Sequence, residues 1–456
     1  MGCTPAAGYR SPMSRHARRR PGRLHARTPG RTYVVAAVAI AALLFASVVT
    51  AFASGVIGHP TSPVYVASQP VSKPTPSPEP SPSPSQVDGP VSFTLIAGGD
   101  VIPHDPVLTS ALRSGTYDFN PLMDDLDPWI SGADLAICNM ETPVAPPGTS
   151  VSGYPRFGGP PEFVSALNDA GWDGCSTASN HTVDRGWAGV VTTLDTFESY
   201  QMGAVGSARS RAESENPQIY KVREGHRVIQ VAHIAWTYGL NGLPKPSGKP
   251  WAVNTFDADD ADVSAILAQA KKVREDGADV VILTVHCCAE YQTKPTTAQR
   301  SIATQIAASG LVDLYIGHHA HVPSPIEKLP GGPNGDGMWA AFGLGNYISN
   351  QDDACCVSNT SNGLLMTATF TVALDGKVDV GVEWTAITVD RLDYHTMHVL
   401  AEVPGGVGTL TAAEVQARYD QVRAAVGDQA PERVVPPTAL ADSSFWIRRK
   451  PWIPGS

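Results

Sequence analysis

Short apolar segments alternate with amphipathic segments along residues 91–389, which is the pattern of an α/β domain. Apolar runs predict strands at Phe93–Ala97, Asp134–Cys138, Trp172–Thr177, Arg227–Ile234, Asp279–Val285, Leu311–Ile316 and Met338–Phe342. Apolar residues at helical spacing predict helices at Pro160–Ala170, Trp187–Tyr200, Ala258–Asp276 and Thr297–Ser309. The alternation therefore predicts a sheet with helices packed outside it.

Two further elements are predicted near the C-terminus. Leu364–Leu374 and Val378–Thr388 flank Gly376 and predict a β-hairpin, which indicates a second sheet. Residues Ala412–Val426 are predicted to form a surface helix. Thr411 directly precedes this segment, and Glu414 follows that threonine by three residues, which is the spacing of a capping box. The tail beyond this helix is rich in proline.

The N-terminal region has a different composition. Residues 1–32 contain eight arginines and no acidic residue, and Tyr33 to Ile57 has no charged side chain. About 20 apolar residues are enough to span a bilayer, with flanking arginines on the cytoplasmic side. We expect either a retained single-pass signal-anchor at the cell membrane or a signal peptide cleaved after Ala53. Both alternatives place the rest of the chain outside the cytoplasm.

A proline and serine alternation within residues 58–90 predicts an extended, semi-rigid linker. The predicted organisation is a basic segment (1–32), a signal-anchor or signal peptide (33–57), the linker (58–90), an α/β domain (91–400) and a C-terminal helix with a proline-rich tail (401–456).

Charge excludes one class of partner. The formal net charge is −10, from 33 basic and 43 acidic residues. Since all eight N-terminal arginines precede the apolar segment, the remainder carries 25 basic and 43 acidic residues, a net charge of −18. Such a surface repels phosphate backbones, so nucleic acid is not the expected partner.

The cysteines agree with an exported domain. Cys3 precedes the apolar segment, and the other six would lie in an oxidising compartment: Cys138, Cys175, Cys287, Cys288, Cys355 and Cys356. An even number there favours disulfides over buried free thiols. We expect the first two to pair on neighbouring strands and the two adjacent pairs to be bridged to each other. A zinc cluster of cysteines with His286 is the alternative.

Polar side chains that could bind a cation follow the predicted strands, where ligands gather in open α/β sheets. They include Asp100, His104, Asn139, Glu141, Asn180, His181, Asp184, His286, Glu290, His318, His319, His321 and Asn346. Carboxylate and imidazole together suit Zn²⁺, Mn²⁺ or Fe²⁺ rather than an all-oxygen Ca²⁺ site. A single Gly-Asp or Asn-His is often only a turn or a cap. His319 and His321, however, are two positions apart after a strand, and packing alone does not readily explain this spacing.

The order of the motifs resembles the CapA-type capsule proteins, a branch of the calcineurin-like metallophosphoesterase superfamily. The motifs are Gly-Asp (99–100), Asn-x-Glu-Thr-Pro (139–143), Asn-His-x-x-Asp-x-Gly (180–186), His-x-x-x-Glu-Tyr (286–291), Gly-His-His-x-His-Val (317–322) and Leu-Gly-Asn (344–346). The resemblance spans about Phe93 to Tyr347. It implies a four-layer α/β/β/α sandwich of the metallophosphoesterase type, with metal ions at the strand ends.

The resemblance implies two divalent metal ions, Mn, Zn or Fe. The implied ligands are Asp100, Glu141, Asn180, His286, His319 and His321. One ion would be held by Asp100 and His321, with His104 as a further ligand or a substrate contact. The second ion would be held by Asn180, His286 and His319, and Glu141 would bridge the two ions.

Further residues receive roles by the same resemblance. His181 would stabilise or protonate a leaving oxygen, and Asp184 and Glu290 would orient the ligands. Arg156 and Asn346 would contact an anionic substrate.

The chain departs from the superfamily pattern at two places. The first motif normally reads Asp-x-His, whereas this chain has Asp100-Val101-Ile102. Cys287-Cys288 stands where the family usually has Trp-Gly. CapA-like chains share the first departure, which weakens one metal site. The second is a local elaboration, in which a bridge to Cys355-Cys356 would fix the rim of the pocket.

Three functions remain open. The first is a metal-dependent hydrolase, acting on a phosphoester or on polyglutamate, in the synthesis, processing or export of poly-γ-glutamate or another anionic envelope polymer. The second is a non-catalytic assembly or export factor that works with other capsule-synthesis membrane proteins. The third is a peptidase that acts on γ-glutamyl or wall peptide bonds.

Overall fold

A computed structural model of the chain describes residues 89–441 and the backbone of residues 443–447. The predicted basic segment, the apolar segment and nearly all of the linker lie outside the described residues. Among the helices that are described, none combines the length and apolarity needed to cross a membrane.

The described chain is a mixed α/β structure with two large sheets. Its strands are β1 (Val91–Val101), β2 (Leu112–Arg113), β3 (Thr116–Tyr117), β4 (Leu135–Met140), β5 (Gly174–Ser176), β6 (Gly203–Val205), β7 (Gln218–Glu224), β8 (Arg227–Thr237), β9 (Val280–His286), β10 (Leu314–His318), β11 (Ile326–Leu329), β12 (Met338–Ala341), β13 (Asn346–Ile348), β14 (Asn362–Val372), β15 (Val378–Asp390), β16 (Thr396–Val399), β17 (Gly406–Val407), β18 (Leu410–Thr411) and β19 (Ser443–Ile447). The α-helices are Asp105–Ala111, Asn120–Met123, Asp127–Ser131, Pro161–Asp169, Gly186–Ser199, Arg211–Ser214, Ser264–Glu275, Thr297–Ser309 and Ala412–Val426. Short 3₁₀ helices are Asp124–Leu126, Ser358–Ser361 and Leu400–Glu402.

The first sheet has eight strands in the order β16-β15-β14-β1-β4-β5-β6, with β13 paired to the end of β1. The strands β1, β4, β5 and β6 are parallel, so their carboxyl ends lie at one edge. The second sheet has seven strands in the order β11-β12-β10-β9-β8-β7-β19. Its strands β8, β9, β10 and β12 are also parallel.

Both sheets are buried on both faces. Leu95 of β1 and Ile282 of β9 lie in one apolar cluster that the two sheets share. Ile96 points the other way, into a cluster with the helix Pro161–Asp169, and Val281 packs with the helices Ser264–Glu275 and Thr297–Ser309. Because successive strand residues face opposite sides, burial of both faces requires the continuous apolar runs seen in the sequence. The predicted α/β class is confirmed.

The C-terminal hairpin is also confirmed, but its expected place in a second sheet is wrong. Strand β14 pairs antiparallel with β1, and Phe93 stacks on Phe370 with ring centroids 4.9 Å apart. The hairpin therefore extends the first sheet. Residues 218–341 supply most of the second sheet, including the hairpin β7–β8, which the apolar pattern did not predict.

The helix predicted from Ala258 begins only at Ser264. The Asp257 carboxylate accepts hydrogen bonds from the backbone N–H groups of Asp259 and Asp260, at 3.0 and 3.3 Å. Such side-chain acceptors favour a turn over a helix, which explains the later start.

The C-terminal helix belongs to the core of the domain. Thr411 and Glu414 form the predicted capping box. Val415, Val422 and Val426 are buried in the cluster shared by the two sheets. Residues beyond 400 thus pack with the preceding elements.

The disulfide prediction is correct for one pair and wrong for two. Cys138 and Cys175 are bonded across the adjacent strands β4 and β5, with Cα atoms 4.4 Å apart. The adjacent cysteines are instead bonded within each pair, Cys287 to Cys288 and Cys355 to Cys356. The reason is their surroundings: Cys287 is fully buried with the helices of the second sheet, whereas Cys355 is exposed on a loop.

Val422→Ala tests the role of the C-terminal helix. The side chain is fully buried, so its truncation leaves a cavity and should lower the free energy of unfolding by about 2 kcal/mol. Gln416→Ala, on the exposed side of the same helix, is the control and should change it by less than about 0.5 kcal/mol in urea unfolding. Equal effects of the two variants would contradict the packing.

Candidate metal centre

The carboxyl ends of strands from both sheets meet at one cluster of buried polar side chains. Asp100 of β1 is opposite Asn139 of β4 and Asn346 of β13, and His286 of β9 is opposite His318 of β10. A Cβ at Gly99 would lie 2.2 Å from the carbonyl oxygen of Gly345, so only glycine lets the β13 backbone approach here. The register of the two sheets thus brings carboxylates and imidazoles into contact.

Glu141 is central to the cluster. Its Oε1 lies 3.8 Å from Nε2 of His286 and 3.8 Å from Nε2 of His321. Two groups of three residues could each hold a cation, because the potential ligand atoms within each group lie within 4.8 Å of one another. The groups are Asp100–Glu141–His286 and Glu141–His319–His321. Both groups contain Glu141, which is the position that a bridging carboxylate requires. His286 is grouped with Asp100 rather than with His319, unlike the ligand sets that the resemblance implied.

The two alternate histidines follow β10 on a turn. His319 and His321 have φ angles of 85° and 57°, which are uncommon for residues other than glycine and cost roughly 1–3 kcal/mol each. The His319 ring lies 4.8 Å from that of His286 and 5.9 Å from that of His321, measured between centroids. The turn therefore places all three imidazoles in one cluster.

Asn180 lies beside His286. Its Oδ1 is 2.9 Å from Nε2 of that histidine, and its amide nitrogen donates to Oδ1 of Asn241 at 3.2 Å. The amide oxygen, as the only acceptor of the side chain, therefore faces the cluster.

Buried polar groups hold the ligands from behind. The amide nitrogen of Asn139 donates to Oδ1 of Asp100 at 2.8 Å and lies 3.3 Å from Nδ1 of His286. His318 places its Nδ1 3.0 Å from the same carboxylate oxygen. Asn139 and His318 belong to the sequence motifs, but the family resemblance assigned no role to either residue. Asn241 had no sequence signal, because it lies in an irregular loop outside every motif.

Asn346, expected to contact substrate, is instead placed behind the cluster. It is 1% exposed. Its Oδ1 lies 3.1 Å from Nδ1 of His321, and its amide nitrogen donates to Gln351 Oε1 and Thr360 O, both at 2.9 Å. With both ends of the amide engaged by the protein, this residue orients His321.

His181 and Asp184 form a pair at the edge of the cluster. Nδ1 of His181 lies 2.7 Å from Oδ2 of Asp184, and that carboxylate oxygen also accepts the backbone N–H of Phe157 at 2.9 Å. The Phe157 ring packs edge-on against His181, with centroids 4.8 Å apart. The imidazole is thus fixed by the Asp184 hydrogen bond and the Phe157 ring contact, and the Asn241 amide nitrogen lies 3.3 Å from its Nε2.

The remaining predicted residues lie farther out. His104 is half-buried and accepts the backbone N–H of Asn350 at its Nδ1, at 3.2 Å. Glu290 is exposed beside Tyr291, and the burial of Tyr291 together with the Glu290 charge raises the pKa of the phenol. Arg156 is exposed and lines a cleft of about 490 Å³ next to Asp184.

Burial sets the charge of the ligands. It lowers the pKa of His319 to about 3 and that of His286 well below its usual value, so both imidazoles are neutral, as metal ligands must be. Burial also raises the pKa of Glu141 well above its usual value. Burial acts in the same direction on Asp100, but the imidazoles of His318 and His321, whose Nδ1 atoms lie 3.0 and 3.2 Å from its oxygens, outweigh it and lower that pKa.

The residues fit a cation centre. Glu141 Oε2 and His319 Nδ1 are buried and have no hydrogen-bond partner among residues 89–441. Leaving buried polar atoms unpaired costs about 1–3 kcal/mol each, and a bound cation would remove that cost for a ligand atom. Carboxylate, amide and imidazole donors suit Zn²⁺, Mn²⁺ or Fe²⁺. The arrangement therefore matches the predicted class of cofactor.

Comparison with known proteins agrees with the motifs. Residues 94–351 match the family described as bacterial capsule synthesis protein PGA_cap. The chain belongs to this family. The match includes every candidate ligand from Asp100 to His321, and the predicted resemblance to CapA-type capsule proteins is confirmed.

Several curated relatives carry related names. The chain is 29% identical over 195 residues to the PGA biosynthesis protein CapA of Bacillus subtilis, covering 42% of this chain and 46% of the relative. It is 24% identical over 266 residues to the capsule biosynthesis protein CapA of Bacillus anthracis, covering 57% and 60%. A probable polyglutamine synthesis accessory protein of Mycobacterium tuberculosis is 21% identical over 224 residues, covering 49% and 57%. The matches thus span about half to three-fifths of each relative's length.

Among solved structures, a calcineurin-like phosphoesterase of Bacillus subtilis aligns with a TM-score of 0.36 and 14% identity, covering 73% of this chain and 97% of that one.

His286→Ala tests the metal centre. Loss of one buried ligand next to Glu141 should lower the bound Mn, Zn or Fe at least about tenfold, measured by elemental analysis of the dialysed protein. His226→Ala removes an exposed histidine and should retain the wild-type metal content. Absence of these metals from the wild type, or equal content in both variants, would contradict the assignment.

Proposed function

We propose that this domain is a metal-dependent hydrolase that acts on poly-γ-glutamate or another anionic polymer of the cell envelope, during its synthesis, processing or export. The main support is the buried cluster around Glu141, with the His181–Asp184 pair at its edge. The names of the relatives, which refer to capsule and PGA biosynthesis, support the choice of polymer.

Divalent cations, when bound, would activate water for hydrolysis and stabilise charge on the attacked phosphoester or amide group. Glu141, Asp100, Asn180 and the three imidazoles are the residues that would hold them. Asn139 and Asn346 orient those ligands by hydrogen bonds at 2.8 and 3.1 Å. Fixed ligands keep their geometry when the substrate binds.

His181 has the contacts of a proton donor to a leaving group. The Asp184 carboxylate accepts the hydrogen bond from Nδ1, so that nitrogen carries a proton. Nε2 is then the atom that exchanges a proton with a leaving oxygen or nitrogen.

The alternative function is a non-catalytic factor for capsule assembly or export, which works with other membrane proteins. One observation favours it. Ile102 stands where the Asp-x-His motif would supply a histidine, and its side chain is 2% exposed within the core. The first metal site therefore lacks one expected ligand.

His181→Ala separates the two functions. With metal-loaded protein, kcat on an activated phosphodiester or on poly-γ-glutamate should fall at least about 100-fold, as expected for loss of a general acid. The exposed His226→Ala should retain wild-type turnover. If wild type and His181→Ala show the same background rate on both substrates, the assembly factor is favoured and the hydrolase is not.

We also propose that the domain lies outside the cytoplasm, attached through the N-terminal apolar segment or released after its cleavage. The cysteine pairs support this, because disulfides persist in oxidising compartments.

A fusion experiment tests the location. Alkaline phosphatase fused after Ser456 should be active in cells, since that enzyme needs an oxidising compartment for its own disulfides. The same fusion without residues 1–57 is the control and should be inactive. Equal phosphatase activity in both would contradict an exported domain.

A further inference from the structure

A cleft next to the His181–Asp184 pair is lined by two cations and by apolar side chains. Its volume is about 490 Å³, within the range of small-ligand sites. The cations are Arg156 and Lys249. The apolar lining includes Trp187, Leu243, Pro244 and Pro246. Asp184 closes the cleft on the side of the metal centre.

The two cations are available to a ligand. Within residues 89–441, neither the Arg156 guanidinium nor the Lys249 ammonium has a hydrogen bond or an ion pair. The Lys249 Nζ lies 5.0 Å from the Trp187 ring centroid, in a cation–π contact that holds the ammonium at the cleft. In a chain whose residues after the apolar segment carry a net charge of −18, these cations attract anions to one place.

The walls of the cleft are well fixed. Trp187 lies in the first turn of the helix Gly186–Ser199, and both Trp187 and Leu243 pack against the buried cluster of the first sheet. Pro244 and Pro246 restrict the backbone of the opposite wall. A cleft with restricted walls binds with a smaller loss of entropy than a flexible loop.

The cleft adjoins the proposed reaction centre through Asp184. Asp184 lines it and holds Nδ1 of His181 at 2.7 Å. Arg156 precedes Phe157, whose ring packs on the other side of His181. A ligand in the cleft therefore contacts the residue that orients the imidazole.

We propose that this cleft binds a segment of a linear polycarboxylate, with Arg156 and Lys249 each pairing with one carboxylate and the apolar lining contacting the hydrocarbon groups between them. Paired cations with an apolar floor match a polymer whose charges are separated by methylene groups better than one with a hydroxylated backbone. This inference rests on the proposed function and names the part of the site that binds the polymer next to the cleaved bond.

Binding of a fluorescent γ-glutamate decamer to the full chain tests the proposal. Arg156→Met and Lys249→Met should each weaken binding about fivefold, the effect of losing one partly exposed ion pair, and the double variant about 25-fold. Lys271→Met is the matched control, since it removes one exposed cation from the helix Ser264–Glu275, and its affinity should equal that of wild type. Unchanged melting temperatures verify that the variants fold.

Binding, rather than turnover, keeps this test separate from that of the hydrolase. Cleft variants should retain the wild-type metal content, and an inactive protein that still binds the decamer through both cations would support the cleft while contradicting catalysis. Failure of the wild type to bind the decamer, or equal affinity in all variants, would overturn the proposal. Tighter binding of a poly(glycerol phosphate) of equal charge would assign the cleft to phosphodiester polymers and overturn the polycarboxylate.

Discussion

The site depends on the burial of two carboxylates, Asp100 and Glu141, at the point where both sheets end. An uncompensated buried charge is costly, so the fold surrounds these groups with imidazoles and amides. His321 shows the effect: burial would lower its pKa, but Glu141 and Asp100 raise it to about 10. The two carboxylates therefore favour positive charge at this place, which a divalent cation would supply.

The two-sheet core supplies the rigidity for this arrangement. Parallel strands end together, and the apolar cluster between the sheets fixes their separation. A ligand pair such as His286 and Glu141 comes from different sheets, so its geometry depends on packing far from the site. The disulfide between Cys138 and Cys175 joins the two strands of the first sheet that lead to Glu141 and Asn180. Stability of the core and geometry of the cluster are therefore coupled.

The sequence predicted most of the long strands and most residues of the buried polar cluster, because each depends on local pattern or on a motif at a strand end. It could not predict which strands pair, since a hairpin such as β14–β15 offers the same alternation to either sheet. For the same reason the adjacent cysteines were paired wrongly: burial of Cys287 depends on helices far along the chain. Asn346 looked like a substrate contact because its motif ends a strand. Its hydrogen bonds to neighbouring loops show that it supports His321.

The contacts of Asp100 indicate how the altered first motif is accommodated. Oδ1 interacts with Asn139 and His318 at 2.8 and 3.0 Å, and Oδ2 with the His321 ring and the His319 backbone N–H, both at 3.2 Å. Both oxygens thus already have protein partners, so a cation would have to share them. Glu141, by contrast, has one oxygen without a partner among the described residues. In the proposed metal centre, a cation would therefore be held first through Glu141, while Asp100 holds His319 and His321 in place.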